Sequence, residues 1–375
     1  MAALENDAVK RAVAGVVGGR TYYGFTGHPN VRKLEVALEA RFDGRRALCV
    51  NSGTDALILA LKLLRVGPGD EVIVPAFSYI STASCVSWIG AKPVFADICL
   101  DDYAVDPATI EANITPKTKA IIVAHLFGQP ASGIEEIARI AKRRSLYLIE
   151  DAAQSFGAQI EINGEGKPVG AIGDIGCLSF SSTKPFAAPG NGGALILKDP
   201  AFWEEGDRMR FYGARVHHFD YPTVGVNCKM HDMQAAALLA KLPFFDYWLG
   251  HRRTIAALYT KELAGIGDLV LPADIPGTER TWYRYVVRTP MCPALFEKIE
   301  KTAMGSSRLF QLARNYPVPL PYFSMFRSSR HAPGDFPVAD RVSREAVPLP
   351  VTNDVTTEDA ERFSRATQEF FKERT

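Results

Sequence analysis

The 375-residue sequence lacks the cysteine and histidine clusters that bind metal ions. No two cysteines stand in the C-x-x-C spacing typical of zinc sites and iron–sulfur clusters, and no H-E-x-x-H pattern occurs. We therefore predict no metal site and expect most cysteines to be small buried side chains. The six cysteines are Cys49, Cys85, Cys99, Cys177, Cys228 and Cys292.

An excess of one charge and a long apolar run are also absent. The 43 Lys and Arg residues balance 42 Asp and Glu residues, so the composition predicts no nucleic-acid and no membrane partner. No apolar stretch reaches the roughly 18 residues of a membrane-spanning helix, and residues 1–13 show no signal-peptide core. We expect a cytoplasmic protein.

From about residue 30 to residue 200, short apolar runs alternate with amphipathic helical stretches. This alternation predicts an α/β domain with a mostly parallel central sheet flanked by helices. The runs are almost wholly apolar, as in strands covered on both faces. The predicted strands are 46–50, 71–75, 92–98, 119–126, 145–151, 177–181 and 193–197; the helices are 54–64, about 80–89 and about 133–143.

The pattern changes after about residue 230. A helical stretch begins at 233–242 and continues beyond Pro243; the clearest later elements are a strand at 282–288 and a closing helix near 356–372. We predict a large domain with its N-terminal segment over 1–245, and a smaller α+β domain over 246–375.

The stretch NSGTDALILAL, 51–61, predicts a strand end, a tight turn and an apolar helix. Gly53 allows close approach of the backbone, and the first amides of a helix lack intrahelical partners, which favours a bound phosphate. Alternatively, Ser52 or Thr54 is only a helix cap.

The stretch LIEDAAQSFG, 148–157, places Asp151 where an apolar strand ends, with Gln154 three residues later. Ligands of open parallel sheets bind at the carboxyl ends of strands, so Asp151 is a candidate site residue. A buried carboxylate needs a partner, which a protonated heterocycle could supply. A helix-capping role for Asp151 remains open.

The stretch SFSSTKPFAAPGNGG places Lys184 among hydroxyls, prolines and small residues. Pro185 disfavours helical backbone at Lys184, and a lysine without a nearby acid can serve as a Schiff-base nucleophile. An exposed loop lysine is the alternative. The chain order of turn, strand-end acid and Ser-x-x-x-x-Lys is the one that a pyridoxal phosphate (PLP) enzyme of this architecture needs.

These stretches together resemble the PLP-dependent sugar aminotransferases of the DegT/StrS type, over about residues 30–290 and more loosely to the end. The resemblance implies a fold-type-I PLP transferase that works as a homodimer with active sites at the subunit interface. The further matching segments are VGPGDEVIVPAFSYISTA, GAKPVFADI, ITPKTKAIIVAHLFGQP and VGVNCKMHDMQAAALLAKL.

The resemblance also implies roles for single residues. Lys184 matches the lysine that holds PLP as a Schiff base, Asp151 the carboxylate that pairs with the pyridine nitrogen, and Gln154 a contact to the ring hydroxyl. The remaining matches are to the cofactor phosphate (Gly53, Thr54 and Ser179), to its pyridine face (Tyr79) and to the phosphate in the partner subunit (Asn227).

The implied reaction moves an amino group from glutamate or glutamine to a ketosugar, most closely a nucleotide-linked one, with pyridoxamine phosphate (PMP) as the intermediate cofactor form. Three alternatives stay open: a ketocyclitol acceptor, a sugar dehydratase of the same fold, and a non-catalytic regulatory homologue. Lys184, Asp151 and the scattered cysteines speak against the last two.

Four positions depart from the pattern of the resembled family. Asn191 stands where an acid is usual and Lys229 where arginine is common; Asn315 and Pro321 replace histidines beside the retained Tyr316. We expect Lys229, Asn315 and Tyr316 to face the substrate. The departures leave the PLP chemistry intact and concern the identity of the acceptor.

Overall fold

A computed structural model describes residues 2–19, 28–214, 220–304 and 312–374. The helices are α1 (Ala2–Gly19), α2 (Pro29–Arg41), α3 (Gly53–Leu63), α4 (Ser81–Trp88), α5 (Pro107–Ala112), α6 (Ile134–Arg144), α7 (Ala201–Met209), α8 (Asp232–Lys241), α9 (Phe245–Leu263), α10 (Cys292–Met304), α11 (Pro337–Glu345) and α12 (Thr357–Lys372). The strands are β1 (Arg46–Val50), β2 (Glu71–Pro75), β3 (Lys92–Ala96), β4 (Thr118–Ala124), β5 (Tyr147–Asp151), β6 (Gln159–Ile162), β7 (Glu165–Pro168), β8 (Ile175–Ser179), β9 (Gly193–Leu197), β10 (Thr278–Glu279), β11 (Tyr285–Arg288) and β12 (Ala346–Leu349).

Seven of these strands form the central sheet, in the order β1-β9-β8-β5-β4-β2-β3. Six strands share one direction and β9 runs against both of its neighbours. The predicted α/β class with a mostly parallel sheet is therefore confirmed. The carboxyl ends of β1, β4, β5 and β8 meet at one edge, which is where ligands of such sheets bind.

A buried layer lies on each face of the sheet, because its apolar strands alternate their side chains between the two faces. Leu48 and Val50 of β1 belong to one layer, while Ala47 and Cys49 belong to the other. Helices α3 and α4 cover the first face, and α2, α6 and α8 cover the second.

Helix α9 connects the large sheet to a second core. The predicted long helix is interrupted at Pro243 by a 3-10 turn, because proline cannot donate the backbone hydrogen bond that a continuous helix requires. The start of α9 packs beneath the large sheet, whereas Ile255 and the residues after it join the core formed by α10, α12 and the β11–β12 pair. The division at residue 245 stays a prediction.

Several short strands differ from the sequence expectations. The β6–β7 hairpin, its partner β10 and strand β12 were not predicted, and β11 is shorter than 282–288 because Trp282 adopts a left-handed backbone conformation (φ 55°). Within the described ranges, no helix is both long and apolar enough to cross a membrane.

Two glycine substitutions test the packing of the sheet. A Cβ at Gly176 in β8 would lie 2.0 Å from the carbonyl oxygen of Gly170, whereas one at Gly250 in α9 would have no neighbour within 4 Å. We expect Gly176→Ala to lower the free energy of unfolding by more than about 3 kcal/mol. Gly250→Ala, the control, should raise it by about 0.5 to 1 kcal/mol. Chemical denaturation measures both; equal effects would contradict this packing.

Candidate active site

A cavity of about 470 Å³ lies at the carboxyl edge of the sheet. Its walls come from the turns after β1, β2, β4, β5 and β8, together with the segments around Tyr283 and Asn315. The structure therefore brings together most of the residues proposed from the sequence. Those residues are Gly53, Thr54, Tyr79, Asp151, Gln154, Ser179, Lys184, Asn315 and Tyr316.

The turn between β1 and α3 forms one end of the cavity. Ser52 caps α3 by accepting from the amide of Asp55 (3.0 Å), which confirms the capping alternative without removing the turn from the cavity. A Cβ at Gly53 would lie 2.8 Å from the Cβ of Ser179, so only glycine lets this turn approach the end of β8. The hydroxyls of Thr54 and Ser81 lie 2.8 Å apart on the same wall.

Asp151 ends β5 with its carboxylate at the cavity. One carboxylate oxygen accepts from the hydroxyl of Thr82 (2.8 Å) and the other from the amide of Ala153 (3.2 Å). Asp151 caps no helix, because strand β5 is followed here by turns. A buried carboxylate with one donor on each oxygen still has lone pairs for a third, cationic or N–H donor.

Gln154 is fixed between two neighbours. Its side-chain oxygen accepts from the amide of Phe127 (2.8 Å), and its amide nitrogen donates to the hydroxyl of Tyr316 (3.0 Å). One N–H of Gln154 remains for a ligand. Burial raises the pKa of Tyr316, so this phenol stays neutral and can donate its own proton. The ring of Tyr79 lies 6.3 Å from that of Tyr316 at the cavity rim.

Lys184 lies in a turn after β8, where its amide donates to the carbonyl of Ser181 (2.9 Å). Its Nζ is 5.0 Å from the ring centroid of Tyr283. Burial opposes ionisation of Tyr283, but the charges of Lys184 and Arg284 lower the pKa of this phenol overall. Tyr283 is a site residue that no local sequence pattern indicated, since it lies far from Lys184 along the chain.

His125 and Glu150 form a buried pair at the base of the cavity, with 3.0 Å between Nε2 and the carboxylate. The Nδ1 atom of His125 accepts from the amide of Ala131, so Nε2 carries the proton and donates it to Glu150. Burial disfavours the Glu150 charge, but His125 and the amides of Gly170 and Gly173 lower its pKa overall. The His125 amide donates to the Asp151 carbonyl, so this pair fixes the end of β5.

Asn227 and Lys229 lie outside this cavity wall. Asn227 is exposed and bridges to Phe211, while the Nζ of Lys229 lies 3.8 Å from the Phe211 ring centroid. Burial, followed by the charge of Arg210, lowers the pKa of Lys229. Contact of Asn227 with a partner's cofactor and of Lys229 with substrate stay predictions.

Some of the positions that depart from the resembled family line the cavity and others do not. Asn191 is exposed yet lines the cavity, and Asn315 lines it with a side-chain oxygen that is buried and has no protein partner. Pro321 is buried in a 3-10 turn and does not line the cavity. Asn315 is therefore the departure best placed to meet a ligand.

A family profile supplies the deciding observation, because it matches residues 9–368. The chain belongs to the DegT/DnrJ/EryC1/StrS aminotransferase family. The expected family resemblance is thus confirmed, and the protein is a PLP-dependent aminotransferase.

Curated relatives of this DegT-family chain carry transaminase and regulatory names. It is 36% identical to the "Pleiotropic regulatory protein" of Geobacillus stearothermophilus, over 91% of this chain and 89% of the relative. It is 35% identical to the dTDP-3-amino-3,4,6-trideoxy-alpha-D-glucose transaminase of Streptomyces venezuelae (86% and 82%). It is 38% identical to the UDP-N-acetyl-3-dehydro-alpha-D-glucosamine 3-aminotransferase of Acidithiobacillus ferrooxidans (84% and 81%).

Solved structures share the fold over nearly the whole chain. DesV of S. venezuelae, solved in complex with a ketimine intermediate, matches with a TM-score of 0.88 and 34% identity, over 97% of this chain and 94% of that one. NtdA of Bacillus subtilis, solved with bound cofactor PMP, matches with a TM-score of 0.86 and 26% identity (98% and 82%).

The residues of this DegT-family cavity fit PLP. The turn at Gly53 packs on Ser179 as closely as a glycine allows, and the amides at the start of α3 and the one uncommitted proton of the Thr54–Ser81 hydroxyl pair can donate to a phosphate. Asp151 offers a buried carboxylate to a ring N–H, and Lys184 an amine to an aldehyde. One cavity thus brings together a carboxylate, an amine and backbone amides of the kinds that bind PLP.

The close packing of Gly53 yields a test. Gly53→Ala must push the turn away from Ser179, since the new Cβ would lie 2.8 Å from the serine Cβ. We expect PLP to bind about 10-fold more weakly to this variant, as judged by absorbance titration of the cofactor-free protein. Gly67→Ala, where a Cβ has no neighbour within 4 Å, should bind PLP as the wild type does. Equal binding by all three proteins would contradict the phosphate assignment.

Proposed function

We propose that this aminotransferase transfers an amino group from glutamate or glutamine to a ketosugar linked to a nucleotide. The observation that supports the site assignment is the convergence of Asp151, Lys184 and the Gly53 turn on one cavity, although they are far apart in sequence. PLP, when bound, supplies an aldehyde for Schiff-base exchange and a protonated ring as electron sink.

Each residue of this chain has a distinct task in the proposal. The Nζ of Lys184 holds the cofactor and, once released, moves a proton at the reacting carbon of the substrate. Asp151 keeps the ring nitrogen protonated through its buried charge. Gln154, fixed by Phe127 and Tyr316, directs its remaining N–H to the ring hydroxyl, and Tyr79 at the rim covers the ring face.

The acceptor class rests on the named activities of the relatives. Two transaminase relatives act on dTDP- and UDP-linked sugars and are at least 35% identical to this chain. Asn315 and Tyr316 line the cavity and can exchange hydrogen bonds with sugar hydroxyls, since the Asn315 oxygen is an unpartnered acceptor and Tyr316 a neutral donor. We therefore assign these two residues to the substrate.

We also propose that the enzyme is a cytoplasmic homodimer. The segment around Asn227 exposes apolar side chains, among them Val224 (90% exposed) and Tyr221 (57%). Burial of such side chains by a second copy is favourable. The six cysteines are all free thiols, as is usual in a reducing compartment.

The proposed function predicts the spectroscopic behaviour of a lysine variant. Wild-type protein loaded with PLP should show the visible absorption of the lysine-linked cofactor, and L-glutamate should convert it to that of PMP. Lys184→Ala should lack the lysine-linked band and lose more than about 10³-fold in amino transfer, since both covalent attachment and proton transfer are removed.

Lys198, an exposed lysine paired with Asp174, provides the matched control. Lys198→Ala should bind PLP and respond to glutamate as the wild type does. A panel of nucleotide-linked ketosugars and ketocyclitols then tests the acceptor. Turnover of ketocyclitols alone would overturn the sugar assignment, and a wild-type protein that shows no response to glutamate or glutamine would favour a regulatory role.

A further inference from the structure

We propose that Ser78 and Thr82 form a directed hydroxyl relay that keeps Asp151 ionised and aimed at the cofactor ring. The two residues act through Asp151 and are therefore positioning residues. The inference rests on the proposed function of Asp151 and deepens it. No sequence argument singled out either hydroxyl, although both lie in the segment AFSYISTA that carries Tyr79.

The relay is short and buried. The Thr82 hydroxyl donates to Asp151 Oδ2 over 2.8 Å, and the hydroxyls of Ser78 and Thr82 lie 2.8 Å apart. Thr82 is fully buried and Ser78 is 3% exposed, while Ser78 also lines the cavity. A chain of hydrogen bonds in such a low-dielectric place polarises its members and stabilises the terminal charge.

The direction of the relay follows from the number of protons. An ionised carboxylate only accepts, so the single hydroxyl proton of Thr82 is committed to Asp151. The Ser78–Thr82 bond must then be donated by Ser78. Ser78 consequently offers only lone pairs to the cavity, and both hydroxyl dipoles point their positive ends at Asp151.

The environment of Thr82 differs from that of the threonines that satisfy their hydroxyls within a helix. In those, the hydroxyl donates to the backbone carbonyl four residues earlier; examples are Thr254, Thr260, Thr302 and Thr367. Thr82 instead donates to a carboxylate 69 positions away. Its hydroxyl is therefore directed at the site rather than used to complete helix α4.

Among the side chains that face Asp151, Thr82 is the one that donates a hydrogen bond to its carboxylate. Burial raises the pKa of the thiols of Cys85 and Cys177 and of the Tyr316 phenol, and the Asp151 charge adds to each shift, so all three stay neutral. Glu150, the preceding residue, is held by His125 on the opposite side of the strand. None of these groups is a cationic partner of Asp151.

The experiment compares hydroxyl variants in PLP binding across pH, with PLP alone as the probe and cofactor-free protein as the receptor. Thr82→Val keeps the shape but removes the donor, so PLP should bind about 10-fold more weakly near neutral pH. Loss of a bond to the ionised carboxylate favours its protonated form, so the pH at which binding falls on acidification should move upward. Thr82→Ser keeps the donor and should restore both properties.

Ser78→Ala removes the outer hydroxyl and should give a smaller change of the same sign, about three-fold. Ser87→Ala, an exposed position on the same helix, should leave binding unchanged. Thermal unfolding of the cofactor-free proteins checks that each variant folds. If Thr82→Val does not fold, the PLP binding of Ser78→Ala still tests the relay.

Wild-type behaviour of Thr82→Val, or equal losses in Thr82→Val and Thr82→Ser, would overturn the relay, as would an unchanged pH response in Ser78→Ala. A wild-type protein that does not bind PLP would instead overturn the proposed function. The two failures are therefore distinguishable.

Discussion

The shared direction of β1, β4, β5 and β8 is the constraint on which the site depends. Parallel strands present their carboxyl ends at one edge, so the residues that follow them converge although the chain separates them widely. Two glycines with no room for a side chain close the edge: Gly53 lies against the side chain of Ser179, and Gly193 lies against the carbonyl of Ser52. Antiparallel β9 contributes to this arrangement, because its pairing with β1 ends at Val50 and Gly193, beside the Gly53 turn.

Most polar side chains around the cavity are satisfied by hydrogen bonds to neighbouring protein groups, so only a few can still bind a ligand. Glu150 is satisfied by His125 and backbone amides, and Gln154 by Phe127 and Tyr316. Asp151 retains free acceptor capacity, and Lys184 faces a phenol rather than a carboxylate. Because the other charged groups around the cavity are paired, the site presents one acid and one amine to the cofactor. Each of the two has few protein groups with which it could pair instead.

Apolar periodicity and strand-end chemistry were sufficient to predict the sheet and the three central site segments. Strands β1, β2 and β9 have the predicted bounds, since every residue of these strands except Arg46 is buried. The β6–β7 hairpin was missed although Asn163–Gly164 is a hairpin signal, because its flanking residues are mostly polar and exposed. Strand β12 contains Pro348, which disfavours a strand prediction. Tyr283 and the Thr82 relay depend on contacts between distant segments, which no local pattern specifies.

The central claim is that Lys184 is the residue that carries the cofactor. Borohydride reduction of the PLP-loaded protein, followed by proteolysis and mass spectrometry, tests it directly, because reduction fixes the Schiff base to the lysine that forms it. We expect a pyridoxyl group on Lys184 and on no other lysine in stoichiometric amount. A stoichiometric label on a different lysine, or none at all, would contradict it.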